Sequence, residues 1–300
     1  MFDTLLRLLP VMIGIGSGVL FRQLGLAERR DGDLLFRIVF YICLPALMFL
    51  ALATVRLDGP LALYPIAALI AVAGGHLAGR LIGRWGYWPR QQHAVLLTGA
   101  MIVNTGFALP FITALYGAEG VARIGAFDAV NTTLTFSWAY YTSARGNPDH
   151  HGGPLLLDRL LKSPPLYAIA AGATVNALAL DIPDAIAAAL SPFATATATI
   201  ISIGVGIMLA LPRGDFWKAM AVVAARLGSG LVVGVLLVVL LGLDGMDRTI
   251  LLLLAVAPVG FVTVTFASLE RLDVRLAANA LSLSMIGSFV LSFVVTLASA

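Results

Sequence analysis

The chain has 300 residues, 60% of them apolar and only 12% charged, with a mean hydropathy of +0.96 and a formal net charge of +3. A soluble domain is closer to half apolar and a quarter charged, so this excess exceeds what a water-soluble core needs, and the bilayer must solvate most of the surface. Nucleic acid is excluded as a partner despite a pI of about 9.2, because the basic residues stand singly at the ends of apolar runs and form no patch interleaved with aromatics.

Ten apolar segments follow one another between charged or Pro/Gly punctuation, at 4–21, 34–53, 61–83, 93–115, 121–142, 164–180, 185–210, 217–241, 248–268 and 275–298. Each is long enough to be read as a spanning helix of about 20 residues. Segment 1 follows Asp3, with no basic region before it and no small-residue cleavage site after it, and reads as a retained helix. Segment 2 holds the lone Cys43, so no disulfide or thiolate metal site forms within one chain. In segment 3, Gly75, Gly79 and Gly83 recur every four residues, as do Gly230 and Gly234 in segment 8; such small faces let helices pack closely. The one long connection, after segment 5, is Gly/Pro-rich, passes the His150-His151 pair and ends in a short amphipathic stretch, 155–162. The expected organisation is a first five-helix repeat over 1–143, a cytoplasmic loop over 144–163 and a second five-helix repeat over 164–300.

Charge bias sets the orientation. With the N-terminus outside, the cytoplasmic ends collect Arg22, Arg29, Arg30, Arg37, Arg80, Arg84, Arg90, Arg145, Arg159, Lys162, Arg213, Lys218, Arg271 and Arg275. The outer ends hold only Arg7, Arg56, Arg123 and Arg248, a strong positive-inside asymmetry. Ten spans return the C-terminus to the outside. An odd number of spans in each half inserts the second half upside down relative to the first, the pattern of an inverted repeat.

Two segments carry interruptions at mid-membrane depth. Segment 4 contains Asn104-Thr-Gly-Phe-Ala-Leu-Pro110 and segment 9 contains Ala257-Pro-Val-Gly260. Proline removes an amide and clashes with the carbonyl four residues back. In lipid, irregular backbone is tolerated only where protein or a cavity surrounds it. Paired interruptions in corresponding spans point to a transport site, and half-helix N-termini there would offer free amides and positive dipole ends to an anion. Asn104, Thr105 and Gly106 are therefore expected to contact the solute, with Pro258, Val259 and Gly260 supplying the opposing backbone.

Ionisable residues inside spans are costly and face protein or water. Asp128 lies ~10 Å from the outer end of segment 5 at 1.5 Å per residue, and is either a proton-coupling carboxylate or a structural acceptor. Asn131, three residues on, shares its face. Arg226 lies ~12 Å inside segment 8, where it snorkels to the inner interface, pairs with Asp128 or attracts the solute. His76 and His93 lack partners at metal-ligand spacing and read as structural. Asn279 in segment 10 corresponds loosely to the Asp128 region and is a further candidate.

Several motifs together resemble the auxin efflux carrier family, within the bile/arsenite/riboflavin-type transporter superfamily. They are Tyr41-Ile-Cys-Leu-Pro-Ala-Leu-Met-Phe49, the 104–110 motif, Phe127-Asp-Ala-Val-Asn131, Leu161-Lys-Ser-Pro-Pro-Leu166 with Asn176 and Ile182-Pro183, Arg226-Leu227, and Ala257-Pro-Val259. The resemblance implies an all-α polytopic membrane protein of ten transmembrane helices in two inverted five-helix repeats. Helices 4 and 9 would be broken and would cross at their centres in a core that slides against a scaffold. It departs in segment 9, where the family's asparagine after the proline is absent and Thr263 or Thr265 is the available hydroxyl donor.

The expected function is secondary transport of a small organic anion, a carboxylate, across a bacterial-type cytoplasmic membrane by alternating access, of the elevator type in that family. No GxxxxGK[ST] sequence holds a nucleotide, and no paired acids, His/Cys cluster or activated nucleophile marks an enzyme. No cofactor is expected; coupling to H+ or to Na+ is open, as is a monomer or a homodimer. The rival readings are a drug/metabolite-type exporter, which would lack the paired breaks, and an intramembrane sensor or enzyme.

Overall fold

The computed structural model describes residues 2–54, 59–148, 163–209 and 216–299. Arg56, Arg159, Lys162, Arg213, the His150-His151 pair and the amphipathic stretch 155–162 lie outside the described residues. Among the described residues the backbone is helical apart from turns and one isolated bridged pair.

Helix α1 is Phe2–Gln23. Segment 2 comprises α2 (Arg29–Ile38), a wider π turn at Val39–Cys43, and α3 (Leu44–Thr54). Segment 3 is α4, Leu63–Gly83. Segment 4 begins as α5 (Arg90–Met101), breaks, and resumes as the start of α6 (Thr105–Leu134). Gly117 interrupts α6 with φ 54° and ψ −137°, a backbone conformation reserved for glycine, and the remainder of α6 is segment 5. It continues through a π turn at Thr135–Ala139 into α7 (Tyr140–Ala144).

The second half holds α8 (Pro164–Ala177) and α9 (Asp184–Met208). Next come α10 (Phe216–Val223), a π turn at Ala224–Gly228, and α11 (Ser229–Leu240). Segment 9 is split into α12 (Gly245–Ala255) and α13 (Val262–Leu269), and α14 is Val274–Ala298. Among the described residues five helical stretches are, by length and composition, able to cross a membrane: Arg30–Thr54, Leu63–Gly83, Asp184–Met208, Phe216–Leu240 and Val274–Ala298. Side chains such as Ile13, Ile66, Leu77, Val232, Val239 and Val290 stand more than half exposed on these and neighbouring helices, the surface of a polytopic membrane protein.

Small residues decide which helices touch. α1 and α9 cross at Gly18 and Gly206, where a methyl on either would overlap the other's backbone. α3 and α8 meet at Gly172, where a methyl would fall 2.7 Å from the Phe49 carbonyl oxygen. The ends of these pairs are tied by side chains that satisfy orphan helix carbonyls. Arg22 Nη1 donates to the carbonyl of Ile207 at 2.7 Å, and Asn176 Nδ2 donates to that of Leu52 at 2.8 Å. The glycine face of α4 packs on α5, Gly75 against Ala100 and Gly79 against Leu97. The glycine face of α11 packs on α12, with Gly230 and Gly234 against Ala255.

Polar side chains link helix ends at both faces of the molecule. At one, Arg90 Nε donates to the carbonyl of Arg145 at 2.9 Å, Gln92 Nε2 to Asp273 Oδ2 at 2.8 Å and Lys218 Nζ to Gln92 Oε1 at 2.6 Å. At the other, Arg123 Nε and the Tyr64 hydroxyl each donate to Asp247 Oδ1 at 2.7 Å, and Arg7 Nη1 donates to the carbonyl of Leu115 at 3.1 Å.

Candidate functional site

The two broken segments meet. At the first break α5 stops at Met101, Ile102 turns extended (φ −83°, ψ 112°), and Asn104 starts α6 as its cap, its Oδ1 accepting from the Phe107 amide at 3.1 Å. At the second, α12 ends at Ala255, and Pro258 to Gly260 run through the gap before α13. The two irregular stretches pair antiparallel at Val103 and Val259. The Asn104 amide donates to the carbonyl of Pro258 at 3.1 Å, and the Gly260 amide donates to that of Ile102 at 3.0 Å. The Val259 amide donates to Ser284 Oγ on α14 at 3.1 Å. Each break thus fills part of the other's hydrogen-bond deficit, which is what allows non-helical backbone in the buried interior. A methyl at position 260 would overlap the Ile102 side chain, so glycine is what lets the strands approach.

In segment 9 the break coincides with the proline–glycine signal. In segment 4 it does not. The interruption lies at 102–104, and Pro110 stands inside a continuous stretch of α6. Pro110 is the sixth residue of α6, so its ring leaves the Gly106 carbonyl without its helical donor but does not end the helix.

A cavity of about 390 Å³ opens beside the crossing, within the range of small-molecule sites. Ile102 to Gly106, Asp128, Asn131, Thr132, Thr135 and Gly260 to Val262 form one wall; Phe36, Val39 to Tyr41, Leu44 and Ile201 form the other. Both half-helix N-termini, at Thr105–Gly106 and at Phe261–Val262, border it, so two positive dipole ends lie beside the same space, while the Thr105, Phe107, Thr263 and Val264 amides are already engaged by neighbouring carbonyls. The exposed Asp33 and Arg37 stand at its edge. On the far side of the crossing Phe107, Phe111, Ile112, Ile124 and Phe127 are buried in a closed core.

Asp128 is fixed by its neighbours. Thr105 Oγ1 donates to Oδ1 at 2.8 Å, Asn131 Nδ2 to Oδ1 at 3.1 Å and Thr132 Oγ1 to Oδ2 at 3.2 Å. Asn131 Nδ2 also lies 3.2 Å from the carbonyl of Val103, linking the carboxylate to the first break. Asn104 Nδ2 is buried and has no partner among the described atoms, nor has Asn131 Oδ1. A donor and an acceptor are therefore free on residues that line the cavity.

The cavity gathers Asn104, Thr105, Gly106, Gly260, Asp128 and Asn131 from the residues expected at the site. Pro258 and Val259 build the crossing but lie behind the wall. Thr263 is buried beside Gly99, facing away from the cavity, and Thr265 is the hydroxyl that lines it. Asn279 is buried in α14, outside the lining. Arg226 neither snorkels nor pairs with Asp128. It is 1% exposed, and Nη2 donates to the carbonyl of Leu254 at 3.2 Å, at the C-terminal end of α12. The sequence reading overlooked Thr132 and Thr135, four and seven residues after Asp128 on the same helix face, and assigned Arg37 only to orientation.

No family model matches the chain. It is similar over nearly its whole length to two archaeal proteins. An uncharacterized transporter of Methanothermobacter thermautotrophicus is 25% identical over 295 residues, covering 94% of this chain and 94% of that protein. An uncharacterized transporter of Methanocaldococcus jannaschii is 23% identical over 288 residues, covering 91% of each.

Proposed function

We propose that this chain is a secondary transporter that moves a small organic anion across a membrane by alternating access. The two full-length relatives support the general class, since both are named transporters. The observation that carries the finer reading is the pair of broken helices joined by backbone hydrogen bonds, with both resuming N-termini bordering one cavity. A carboxylate is favoured there by the two helix N-terminal dipoles and their remaining amides, with no cationic side chain needed at the crossing. The 104–110, 127–131 and 257–259 motifs that resemble the auxin efflux carrier family lie on these elements and favour the same solute class.

The cavity has exposed side chains at one edge and packed aromatics beyond the crossing, the asymmetry of a carrier held open to one side. The twin pairings α1 with α9 and α3 with α8 support a scaffold of segments 1, 2, 6 and 7. The remaining segments form the body that carries the crossing, and two inverted five-helix repeats account for the duplication. Motion of that body past the scaffold is the access change.

Uptake of radiolabelled mono- and dicarboxylates into proteoliposomes, with imposed proton or sodium gradients, tests the function. Asn104→Asp tests the site: its Oδ still caps Phe107, while the Nδ2 donor is lost and a negative charge is added. Wild-type thermal stability with uptake lowered at least tenfold is expected. Unchanged uptake removes this residue and the amide-lined site from the proposal.

A further inference from the structure

A second cavity, of about 450 Å³, lies away from the crossing between α4, α5 and the end of segment 5. Its lining carries Arg80, Arg90, Arg145, His76 and His93, and no acidic side chain among the described residues. Basic residues at span ends ordinarily spread over the surface, but these converge on one cleft. Arg90 and Arg145 are held beside each other, since Arg90 Nε donates to the Arg145 carbonyl at 2.9 Å. The Arg145 guanidinium sits 5.7 Å from the centre of the Tyr141 ring. Arg80 is close enough to act electrostatically on both imidazoles. Two carboxylates bonded to residues that flank the cleft lining are engaged by other groups. Glu270 accepts from Tyr140 and Asn147, and Asp273 accepts from Gln92 and the Leu276 amide.

The rest of the cleft has a different character. Leu97, Ala94 and Trp138 line it as well, the Trp138 ring lying 4.9 Å from the His76 ring and tilted 43° to it. Beside it, on the outer surface of α4, Leu77 is 58% and Leu81 48% exposed, each one residue beyond His76 and Arg80. Tyr141 at the rim is 49% exposed. Concentrated positive charge meets aliphatic surface at an aromatic rim, the arrangement by which basic pockets between spanning helices take acidic lipid head groups.

We propose that this cleft binds the phosphate head group of an anionic phospholipid, with an acyl chain lying along Leu77 and Leu81. The site is separate from the crossing and takes a ligand that is not transported. Phosphate chemistry alone would also suit free inorganic phosphate; the exposed leucines adjoining the arginines favour the lipid.

The test uses the purified full-length protein in detergent, with phosphatidylglycerol, phosphatidylcholine and inorganic phosphate as probes, binding being read by native mass spectrometry and by thermal shift. Phosphatidylglycerol is expected to bind and to raise Tm, and phosphatidylcholine to do neither. Arg80→Gln and Arg145→Gln are each expected to weaken phosphatidylglycerol binding about fivefold, the factor for one basic residue at an anionic lipid surface. Arg84→Gln, an exposed arginine outside the lining, is expected to leave it unchanged. Equal losses in all three variants would reduce the effect to general surface charge and overturn the proposal. So would equal binding of phosphatidylcholine, or displacement of the lipid by equimolar inorganic phosphate. Because the readout is lipid binding, failure here leaves the transport reading intact, and loss of uptake in Asn104→Asp leaves this site intact.

Discussion

Gly75→Ala tests whether the crossing is positioned by close helix packing. The added methyl would overlap the Ala100 carbonyl oxygen and lie 2.8 Å from its carbon and 3.2 Å from Met101 Cα. These are backbone atoms and cannot rotate aside, so α4 and α5 must separate by about 1 Å to reach ordinary contact distance. Overpacking of this kind costs about 1–3 kcal/mol, equivalent to a fall of roughly 1.5–5 °C in Tm for a chain of this size. The displacement also reaches the site, because Met101 leads into Ile102, whose carbonyl accepts from the Gly260 amide. Purified protein is to be followed by thermal unfolding and by proteoliposome uptake, with Gly16→Ala as the control. No atom lies within 4 Å of a methyl at Gly16, on the exposed face of α1, so that change is expected to be neutral or to stabilise by up to about 1 kcal/mol. If Gly75→Ala matches Gly16→Ala in both Tm and uptake, the packing argument fails.

Asp128→Asn keeps an oxygen acceptor for Thr105, puts an amide nitrogen where Oδ2 accepts from Thr132, and cannot carry a proton; gradient-driven accumulation should disappear while counterflow exchange of labelled solute continues. Accumulation at the wild-type level would remove Asp128 from coupling. Arg123→Gln leaves Asp247 without its 2.7 Å cationic partner in a largely buried place, and a loss of about 3 kcal/mol is expected; a double-mutant cycle with Asp247→Asn showing no coupling energy would contradict it. Arg226→Met replaces a guanidinium that makes one described hydrogen bond and leaves Nε and Nη1 without partners. Thermal unfolding should show equal or higher stability, by about 1–4 kcal/mol, and a large drop in Tm would mean the charge is compensated after all.

How far the sequence led depended on how local each signal was. Pro258 and Gly260 interrupt segment 9 because three consecutive residues decide it. Segment 4 had the right residues and the wrong order of importance. Proline dominates a sequence reading, yet the determining feature is Asn104 before a helical run, a cap signal that says where a helix resumes. Thr132 and Thr135 were within reach of a three-and-four spacing count from Asp128. The engagement of Arg226 was not, because what holds it is the Leu254 carbonyl, brought within reach by the packing of Gly230 against Ala255, a three-dimensional contact with no local signal. The clustering of Arg80, Arg90 and Arg145 was hidden for the same reason. Their orientation role is additive along the chain, whereas their convergence depends on how three helix ends are arranged in space.

The position of Asp128 has a consequence for coupling under the transport reading. Its Oδ1 is held by Thr105, the first residue of the half-helix whose amides are assigned to the solute. An ionised Asp128 and a bound carboxylate therefore draw on the same positive end and repel one another across a short gap. Occupation by the anion favours the protonated carboxyl, and by reciprocity protonation favours anion binding. If Asp128 titrates during the transport cycle, linkage of that sign predicts movement of proton and anion in the same direction, so an inward proton gradient is expected to drive uptake into proteoliposomes; accumulation driven by an outward proton gradient would refute it.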